Sequence, residues 1–289
     1  MLRYLRYYEV SAVHQFITAV EAADMSGVNV AFVSSVPGSH KDGAMCLWGH
    51  RSVAKLLRSH VPAHVATWPV VAQCSSIGSL GQTPDIWLES ELGASLASVR
   101  PGPGGPLARA TCRPHVSLIY PSHGDVLASY DGLLGGGCLP YSRATAVKQP
   151  WLQVLFEMRL CHCHRNLLCQ DHLHNWRADA SSRTRAPPHI KTYTRTDSSH
   201  STIPFFILTS ANLSKAAWGS VNKDGTSCLI MSYEAGVVWL PSLITGQETF
   251  TVTTFIKREP GSEEFPLHYD LPLTKYGDQD RPWLIDALR

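Results

Sequence analysis

No apolar run in the sequence approaches the length of about 20 residues that a membrane-spanning helix needs, although 44% of its 289 residues are hydrophobic. The first ten residues, MLRYLRYYEV, lack the apolar core of a secretory signal peptide. The eight cysteines are spaced irregularly, unlike those of a small disulfide-linked secreted protein. From these absences we expect a chain that acts in a reducing compartment and has no membrane partner.

The sequence also has little excess charge of either sign. Its formal net charge is +2 at pH 7, and charged residues make up 17% of the chain. This balance excludes a protein that coats polyanions indiscriminately, so a nucleic-acid ligand would need a local basic patch. No internal repeat is visible, and 289 residues can bury a substantial core.

Strand-like apolar runs alternate with amphipathic helix-like runs in the first half of the chain. Strands are predicted within 28–36, 68–74 and 115–122, and helices within 48–60 and 85–98. This alternation is typical of an α/β sandwich. The Gly- and Pro-rich stretch 100–114 predicts a flexible loop inside a single domain that spans 1–289.

The stretch PPHIKTYTR places His189 and Lys191 two positions apart in a strand-like run. Alternate residues of a strand share a face, so His189, Lys191 and Tyr193 are expected to point together. A titratable imidazole beside a fixed cation suits a phosphodiester. Strand geometry alone leaves open the alternative of an edge strand with a solvated polar face.

A second polar segment, IPFFILTSANLSKAAWG, predicts a strand, a polar turn and the start of a helix capped by Ser214. Backbone N–H groups at a helix N-terminus attract anions, and Ser210 and Asn212 are predicted to lie in the same turn. Ordinary helix capping accounts for the same residues, so the segment by itself leaves both interpretations open.

Together, H-x-K at His189 and the downstream Asn212 in TSANLSKAAWG resemble the second catalytic motif of tyrosyl-DNA phosphodiesterases. These enzymes are a branch of the phospholipase D superfamily in which Asn replaces the usual Asp. The stretches WPVVAQCSSIGSLG and YDLPLTKYGDQDRPW also look like this family, and the resemblance runs from about residue 8 to Trp283.

The resemblance implies an α/β/α sandwich of the phospholipase D type with a mixed central sheet, one of the two halves of a full enzyme. Such an enzyme hydrolyses 3′-phosphotyrosyl DNA ends left by stalled type I topoisomerase, without a metal or another cofactor. The expected partners are single-stranded or nicked DNA with such an end and a topoisomerase-derived peptide. The expected process is DNA repair, and the expected location is the nucleus.

The resemblance also assigns roles to single residues. His189 corresponds to the general acid/base, which protonates the tyrosyl oxygen and later activates water. Lys191 and Asn212 correspond to the residues that hold the non-bridging phosphate oxygens. Glu234, in SYEAG, matches a carboxylate that orients the nucleophilic histidine of the other half.

Four further positions are candidates for DNA contact. Ser75, Ser76 and Ser79 follow a predicted strand and could donate hydrogen bonds to DNA phosphates, although an ordinary Ser/Gly turn explains them equally well. Lys215 follows Asn212 closely and could reach the DNA backbone, although an isolated helix lysine is usually just solvated.

The chain departs from the family pattern because it contains a single H-x-K. Of its fourteen histidines, His189 is the one followed by Lys at the second position. The chain therefore carries the acid/base half and lacks the nucleophile, and we expect it to be inactive alone. Two alternatives are a homodimer that uses two copies of His189 and a non-catalytic fragment that binds DNA ends.

A second departure is a Cys/His-rich insertion at about 154–171. Seven residues in and just after it are possible zinc ligands, namely Cys161, His162, Cys163, His164, Cys169, His172 and His174. Their C-x-C and H-x-H spacings are cramped and match no familiar zinc motif. We therefore expect no metal site.

Overall fold

The computed structural model describes residues 1–102, 113–152, 172–254 and 264–288. The strands in these ranges are β1 Ala31–Ser35, β2 Gly38–Lys41, β3 Val70–Gln73, β4 Val116–Ile119, β5 Leu173–His174, β6 Lys191–Arg195, β7 Thr202–Ile203, β8 Phe206–Thr209, β9 Ser220–Val221, β10 Ser227–Ile230, β11 Glu234–Trp239, β12 Phe250–Thr254 and β13 Glu264–Leu267.

The α-helices of the described ranges are α1 Leu2–Leu5, α2 His14–Ala22, α3 Gly49–His60, α4 Ala94–Leu96, α5 His123–Leu127, α6 Arg143–Ala146, α7 Lys215–Trp218 and α8 Pro241–Ile244. A π-helical segment, Leu88–Gly93, leads into α4. Short 3₁₀ turns lie at Ser11–Val13, Asp42–Cys46, Ala63–Val65, Pro84–Ile86, Gly132–Cys138, Pro150–Leu152, Asp179–Ser181 and Ile285–Leu288. Every helix in these ranges is too short or too polar to cross a bilayer.

Seven strands form the main sheet in the order β1-β11-β8-β6-β3-β4-β5. β3, β4 and β5 are parallel to one another, whereas the other neighbouring pairs are antiparallel. The expected mixed central sheet is therefore confirmed. The alternative of a solvated edge strand for the H-x-K segment is wrong, because β6 pairs on both sides and all five of its residues are buried.

Alternate side chains of the sheet enter two separate cores. On one face, Val70 and Ala72 of β3 pack with Leu57 of α3 and with the segment that contains Leu88. Burying a side chain the size of leucine contributes about 1.5 to 3 kcal/mol, so this face supplies much of the stability. The buried stripe of α3 follows the spacing that predicted a helix at 48–60.

On the other face, Val71 and Phe206 pack with Phe250 and Leu267, which lie on β12 and β13. Those strands belong to a separate three-stranded sheet in the order β13-β12-β7. In the described part of the chain, this smaller sheet packs against the second face of the main sheet. The expected α/β/α sandwich would have helices on that face. The loop predicted at 100–114 is outside the described residues over 103–112, and the insertion predicted at about 154–171 is entirely outside them.

The helix predicted within 85–98 is present, but its first part is wound as a π-helix. Leu92 N–H donates to Trp87 O at 3.2 Å, five residues earlier. A Cβ on Gly93 would lie 2.9 Å from Leu88 O. Gly93 therefore allows a close backbone approach at this wide turn, which hydrophobic spacing alone does not reveal.

His268 supports the strands beneath the H-x-K segment from the second face. Its Nε2 lies 3.2 Å from Gln73 Oε1 and 3.3 Å from Thr192 Oγ1. Burial lowers the pKa of His268 to about 4. The ring is consequently neutral at physiological pH and links the end of β3 to the start of β6.

The free energy of unfolding is expected to fall as the pH is lowered from 6.5 to about 4, in part because of His268. Above pH 6.5 the ring is neutral in both states, whereas at lower pH the unfolded chain binds a proton that the folded chain excludes. His268 should account for about 2 kcal/mol of this decline. Denaturant unfolding of His268→Gln across this range should show a shallower decline.

His14→Gln is the control, because His14 is an exposed histidine on α2. It should leave the pH dependence of unfolding unchanged. Identical slopes for His268→Gln and the wild type would contradict the prediction. His174 contributes a separate part of the decline, since burial also lowers its pKa to about 4.

Candidate active site

The ends of four neighbouring strands meet at one edge of the main sheet. β3 and β8 end there, whereas the antiparallel strands β6 and β11 begin there. Thr209 of β8 is paired with Lys191 of β6 and also with Gly236 of β11. This topology brings together the segments that carry the H-x-K, Asn212, Glu234 and the serine-rich turn at 75–79.

Lys191 and His189 form the expected pair. Lys191 Nζ donates to the carbonyl of His189 at 2.6 Å and lies 3.3 Å from His189 Nε2. Lys191 is only 6% exposed, whereas His189 is exposed. Burial lowers the pKa of Lys191, an effect that the nearby Glu234 carboxylate partly offsets. A cation that is largely removed from water interacts strongly with an anion placed against it.

The predicted N-cap is confirmed, because Ser214 Oγ accepts a hydrogen bond from Ala217 N–H at 3.1 Å. The helix that follows, α7, has only four residues. A single turn has a small macrodipole, which weakens the attraction for an anion that the sequence suggested at this helix N-terminus. The Asn212 side chain lies in the turn just before the same helix.

The orientation of the Asn212 amide is fixed by three donors. Asn212 Oδ1 accepts from Ser75 N–H at 3.0 Å, from Ser75 Oγ at 3.2 Å and from Ser76 N–H at 2.9 Å. Because backbone N–H groups can only donate, the atom facing them must be the amide oxygen. Asn212 Nδ2 therefore points away from the serine turn, and it donates to no acceptor among the residues that the structure describes.

Tyr193 supports the turn that carries Asn212 from below. It is fully buried, its hydroxyl donates to Ala211 O at 2.9 Å, and it accepts from Trp218 Nε1 at 3.1 Å. One phenol thus connects β6, the Asn212 turn and α7. The sequence predicted that Tyr193 points to the same side of β6 as Lys191. Its hydroxyl there holds the turn that carries Asn212.

The serine turn runs directly beside the Asn212 turn. Ile77 and Leu213 form an isolated parallel bridge, and Gly78 N–H donates to Leu213 O at 2.8 Å. A Cβ on Gly78 would lie 2.6 Å from Ser214 Cβ, so this approach requires glycine. The two turns are therefore held as one rigid unit.

Glu234 begins β11 and is half-buried. Ser210 Oγ donates to Glu234 Oε2 and accepts from Ala235 N–H at 3.1 Å. This hydrogen-bond chain fixes the direction of the carboxylate. The sequence placed Ser210 in the turn, but gave no sign that it contacts Glu234.

The four candidate DNA contacts have different environments. Ser75 is fully buried, and its N–H and hydroxyl both engage Asn212. Ser76 is half-buried, and its Oγ donates to Pro140 O at 3.4 Å. Ser79 is exposed, and Lys215 is half-buried at the start of α7. Ser79 and Lys215 therefore have side chains that an external ligand can reach.

Two cysteines beside the site had no role in the sequence analysis. Burial raises the pKa of the fully buried Cys74 to about 12 even though Lys191 lies near enough to oppose the shift. Burial also raises the pKa of the half-buried Cys138. Both thiols are therefore neutral at physiological pH, so neither is a ready nucleophile.

Within the described ranges, no three or more His, Cys, Asp or Glu side chains converge in a way that could hold a metal. His172 Nδ1 contacts Val116 O at 2.8 Å, and His174 Nδ1 contacts His172 O at 3.0 Å. The other five candidate zinc ligands lie outside the described residues.

The site thus combines a buried ammonium group, a half-buried amide whose oxygen is held by the serine turn, an exposed imidazole and an oriented carboxylate. The family model described as tyrosyl-DNA phosphodiesterase matches residues 1–277. The chain belongs to the tyrosyl-DNA phosphodiesterase family. The family identified from the H-x-K and Asn212 motif is therefore confirmed.

Two curated relatives match nearly the whole of this chain. It is 40% identical over 294 residues to tyrosyl-DNA phosphodiesterase 1 of Drosophila melanogaster, covering 100% of this chain and 47% of that protein. It is 31% identical over 295 residues to a probable tyrosyl-DNA phosphodiesterase of Caenorhabditis elegans, covering 99% and 55%. The chain spans about half the length of these relatives.

The fold is similar to that of a yeast member of the family. Its crystal structure matches with a TM-score of 0.62 at 19% identity, over 98% of this chain and 63% of that one. A crystal structure of its H432R mutant matches with a TM-score of 0.66 at 20% identity. These matches confirm the mixed α/β fold with a mixed sheet.

Proposed function

We propose that this chain provides the acid/base half of a phosphodiesterase that removes tyrosine from the 3′ end of DNA. The observation that carries the proposal is the fixed Asn212 amide, whose oxygen is held by Ser75 and Ser76 near the end of the sheet where the buried Lys191 begins β6. Its N–H₂ group is then left to donate to the phosphate. A cation and a neutral donor together suit the two non-bridging oxygens of a phosphodiester.

In this proposal His189 protonates the tyrosyl oxygen as it leaves and later activates water for hydrolysis of the covalent intermediate. Lys191 and Asn212 stabilise the charge that builds on the phosphate oxygens. Glu234, held by Ser210, orients the attacking histidine of the other half. No metal or other cofactor takes part.

The proposed substrate is single-stranded or nicked DNA that carries a 3′-phosphotyrosyl end, with a topoisomerase-derived peptide on the tyrosine. In this proposal Ser76, Ser79 and Lys215 contact the backbone of the DNA strand. The proposed setting is DNA repair in the nucleus, and the family names of the relatives support the choice of DNA as the partner.

We also propose that 1–289 is one phospholipase D-like domain, corresponding to the C-terminal one of two halves. Two facts support this proposal. The chain contains one H-x-K, and it spans about half of its curated relatives. The nucleophilic histidine then comes from a second half, and residues 1–289 do not complete the reaction alone.

Lys191→Ala is expected to weaken binding of a 3′-phosphorylated single strand by about 1 to 3 kcal/mol, the scale of a charge-assisted hydrogen bond. Binding does not require the nucleophile, so residues 1–289 suffice for the measurement. Fluorescence anisotropy titrations at one fixed salt concentration should show the loss.

Lys223→Ala is the matched control, because it removes the same charge at an exposed position between β9 and β10. The control should leave affinity for the strand nearly unchanged. Equal affinities of the wild type and Lys191→Ala for the 3′-phosphorylated strand would reject the proposed role of Lys191.

A further inference from the structure

Ser75 has the wrong environment for a DNA contact. None of its surface is exposed, and it lies directly after the buried Cys74. Its backbone N–H and its hydroxyl both donate to Asn212 Oδ1, at 3.0 and 3.2 Å. A phosphate could reach these donors only by displacing the Asn212 side chain.

We propose that Ser75 is a positioning residue that acts on the phosphate through Asn212 and does not contact DNA. The inference rests on the proposed function, in which Asn212 binds the 3′ phosphate. It changes the role of Ser75 from a DNA ligand, as the resemblance suggests, to a residue that sets the direction of an amide.

Amide direction matters because the two ends of the Asn212 side chain have opposite effects on an anion. With the oxygen held at the serine turn, the two N–H donors of Nδ2 are left for the phosphate of the proposed substrate. A rotated amide would direct Nδ2 at the serine turn, where N–H groups would face N–H groups, and would direct its oxygen at the phosphate. The backbone N–H groups of Ser75 and Ser76 can only donate and therefore disfavour that rotation. The Ser75 hydroxyl adds a third hydrogen bond that holds the amide oxygen in place.

Ser75 and Ser76 contribute differently to this arrangement. Ser76 supplies a backbone N–H, but its hydroxyl donates to Pro140 O. Ser75 supplies the one side-chain donor to the amide oxygen. A side-chain substitution at position 75 therefore removes one of three hydrogen bonds and leaves both backbone donors in place.

The test is a double-mutant cycle between Ser75→Ala and Asn212→Ala, measured with residues 1–289. Each protein is titrated with a single strand that ends in a 3′ phosphate and with the same strand ending in a 3′ hydroxyl. Ser75→Ala should weaken binding of the phosphorylated strand about 3- to 10-fold, the effect of one hydrogen bond, and should not change binding of the hydroxyl strand. In the Asn212→Ala background, Ser75→Ala should have no further effect.

A spectroscopic measurement on the free protein is independent of DNA binding. The side-chain N–H₂ signals of Asn212, assigned by their loss in Asn212→Ala, should shift or broaden in Ser75→Ala. They should not change in Ser59→Ala, which removes a hydroxyl from the exposed surface of α3. If Ser75→Ala does not fold, the same measurements are made on Ser75→Cys, whose side chain is similar in size and is a weaker donor.

Three results would overturn the inference. The first is that Ser75→Ala lowers the affinity for the phosphorylated and the hydroxyl strand equally. The second is that Ser75→Ala lowers affinity by the same factor in the Asn212→Ala background. The third is that the Asn212 side-chain signals are unchanged in Ser75→Ala. A wild type that binds the two strands equally would instead reject the proposed function. In that case the Asn212 signals still decide whether Ser75 positions the amide.

Discussion

Asn212→Asp is expected to remove the preference of the chain for a 3′-phosphorylated strand over the same strand with a 3′ hydroxyl. One carboxylate oxygen would accept the three hydrogen bonds that Asn212 Oδ1 accepts now. The second oxygen would take the place of Nδ2 and would face the phosphate. A donor is thereby replaced by a negative charge, and affinity should fall on the order of 100-fold or more.

Lower pH should not readily restore binding to Asn212→Asp. Hydrogen bonds to a carboxylate favour its charged form, so the same three donors would lower the pKa of an aspartate at this position. The substitution is therefore expected to behave as a fixed negative charge down to mildly acidic pH. A neutral amide therefore suits this turn better than a carboxylate does.

Asn222→Asp is the matched control, since Asn222 is an exposed asparagine between β9 and β10. It adds the same charge to the chain away from the proposed site. Titrations at one salt concentration should show a small, equal loss for the two strands in the control. A 3′-phosphate preference that survives in Asn212→Asp would show that the phosphate does not meet this amide.

Local patterns in the sequence were sufficient to predict several of the helices and strands that position the site. The amphipathic run that contains Val53, Ala54 and Leu57 predicted α3, and the apolar run around Val70 predicted β3. The cap at Ser214 follows from a polar residue directly before a helix-forming run. Each of these features is decided within a few residues, so each can be read from a short stretch of chain.

The contacts that define the site are of a different kind. Ser75 and Asn212 are separated by 137 positions, and their hydrogen bonds depend on β3 and β8 ending at the same edge of the sheet. The central position of β6 likewise depends on β3, a partner strand from the first half of the chain. The motif therefore selected the residues of the candidate site, but it did not predict that Ser75 is buried against Asn212 or that Ser210 holds Glu234.

Residues 1–289 alone are expected not to release tyrosine from a 3′-phosphotyrosyl oligonucleotide. In the proposed function His189 is the acid/base residue, and no other histidine of the sequence is followed by Lys at the second position. Losing a covalent nucleophile lowers the rate by several orders of magnitude, because acid/base catalysis cannot replace bond formation to phosphorus. Release of tyrosine can be followed by gel electrophoresis of the labelled strand.

A first half taken from a related enzyme should restore activity in a mixture, provided that the two proteins bind each other. It would supply the nucleophilic histidine, a second lysine and a partner that orients His189. His189→Ala in that mixture should slow both tyrosine release and hydrolysis of the phosphohistidine intermediate, so covalent DNA should accumulate on the added half. Denaturing electrophoresis separates this adduct from free DNA.

The dependence of turnover on protein concentration distinguishes the expected result from the alternative of a homodimer. A dimer that uses two copies of His189 would show turnover that increases with self-association and disappears in His189→Ala. A fragment that binds DNA ends without catalysis would show 3′-phosphate binding and no turnover at any concentration or in any mixture. Substantial turnover by residues 1–289 at concentrations where they sediment as a monomer would contradict the expectation, because the nucleophile would then lie within this chain.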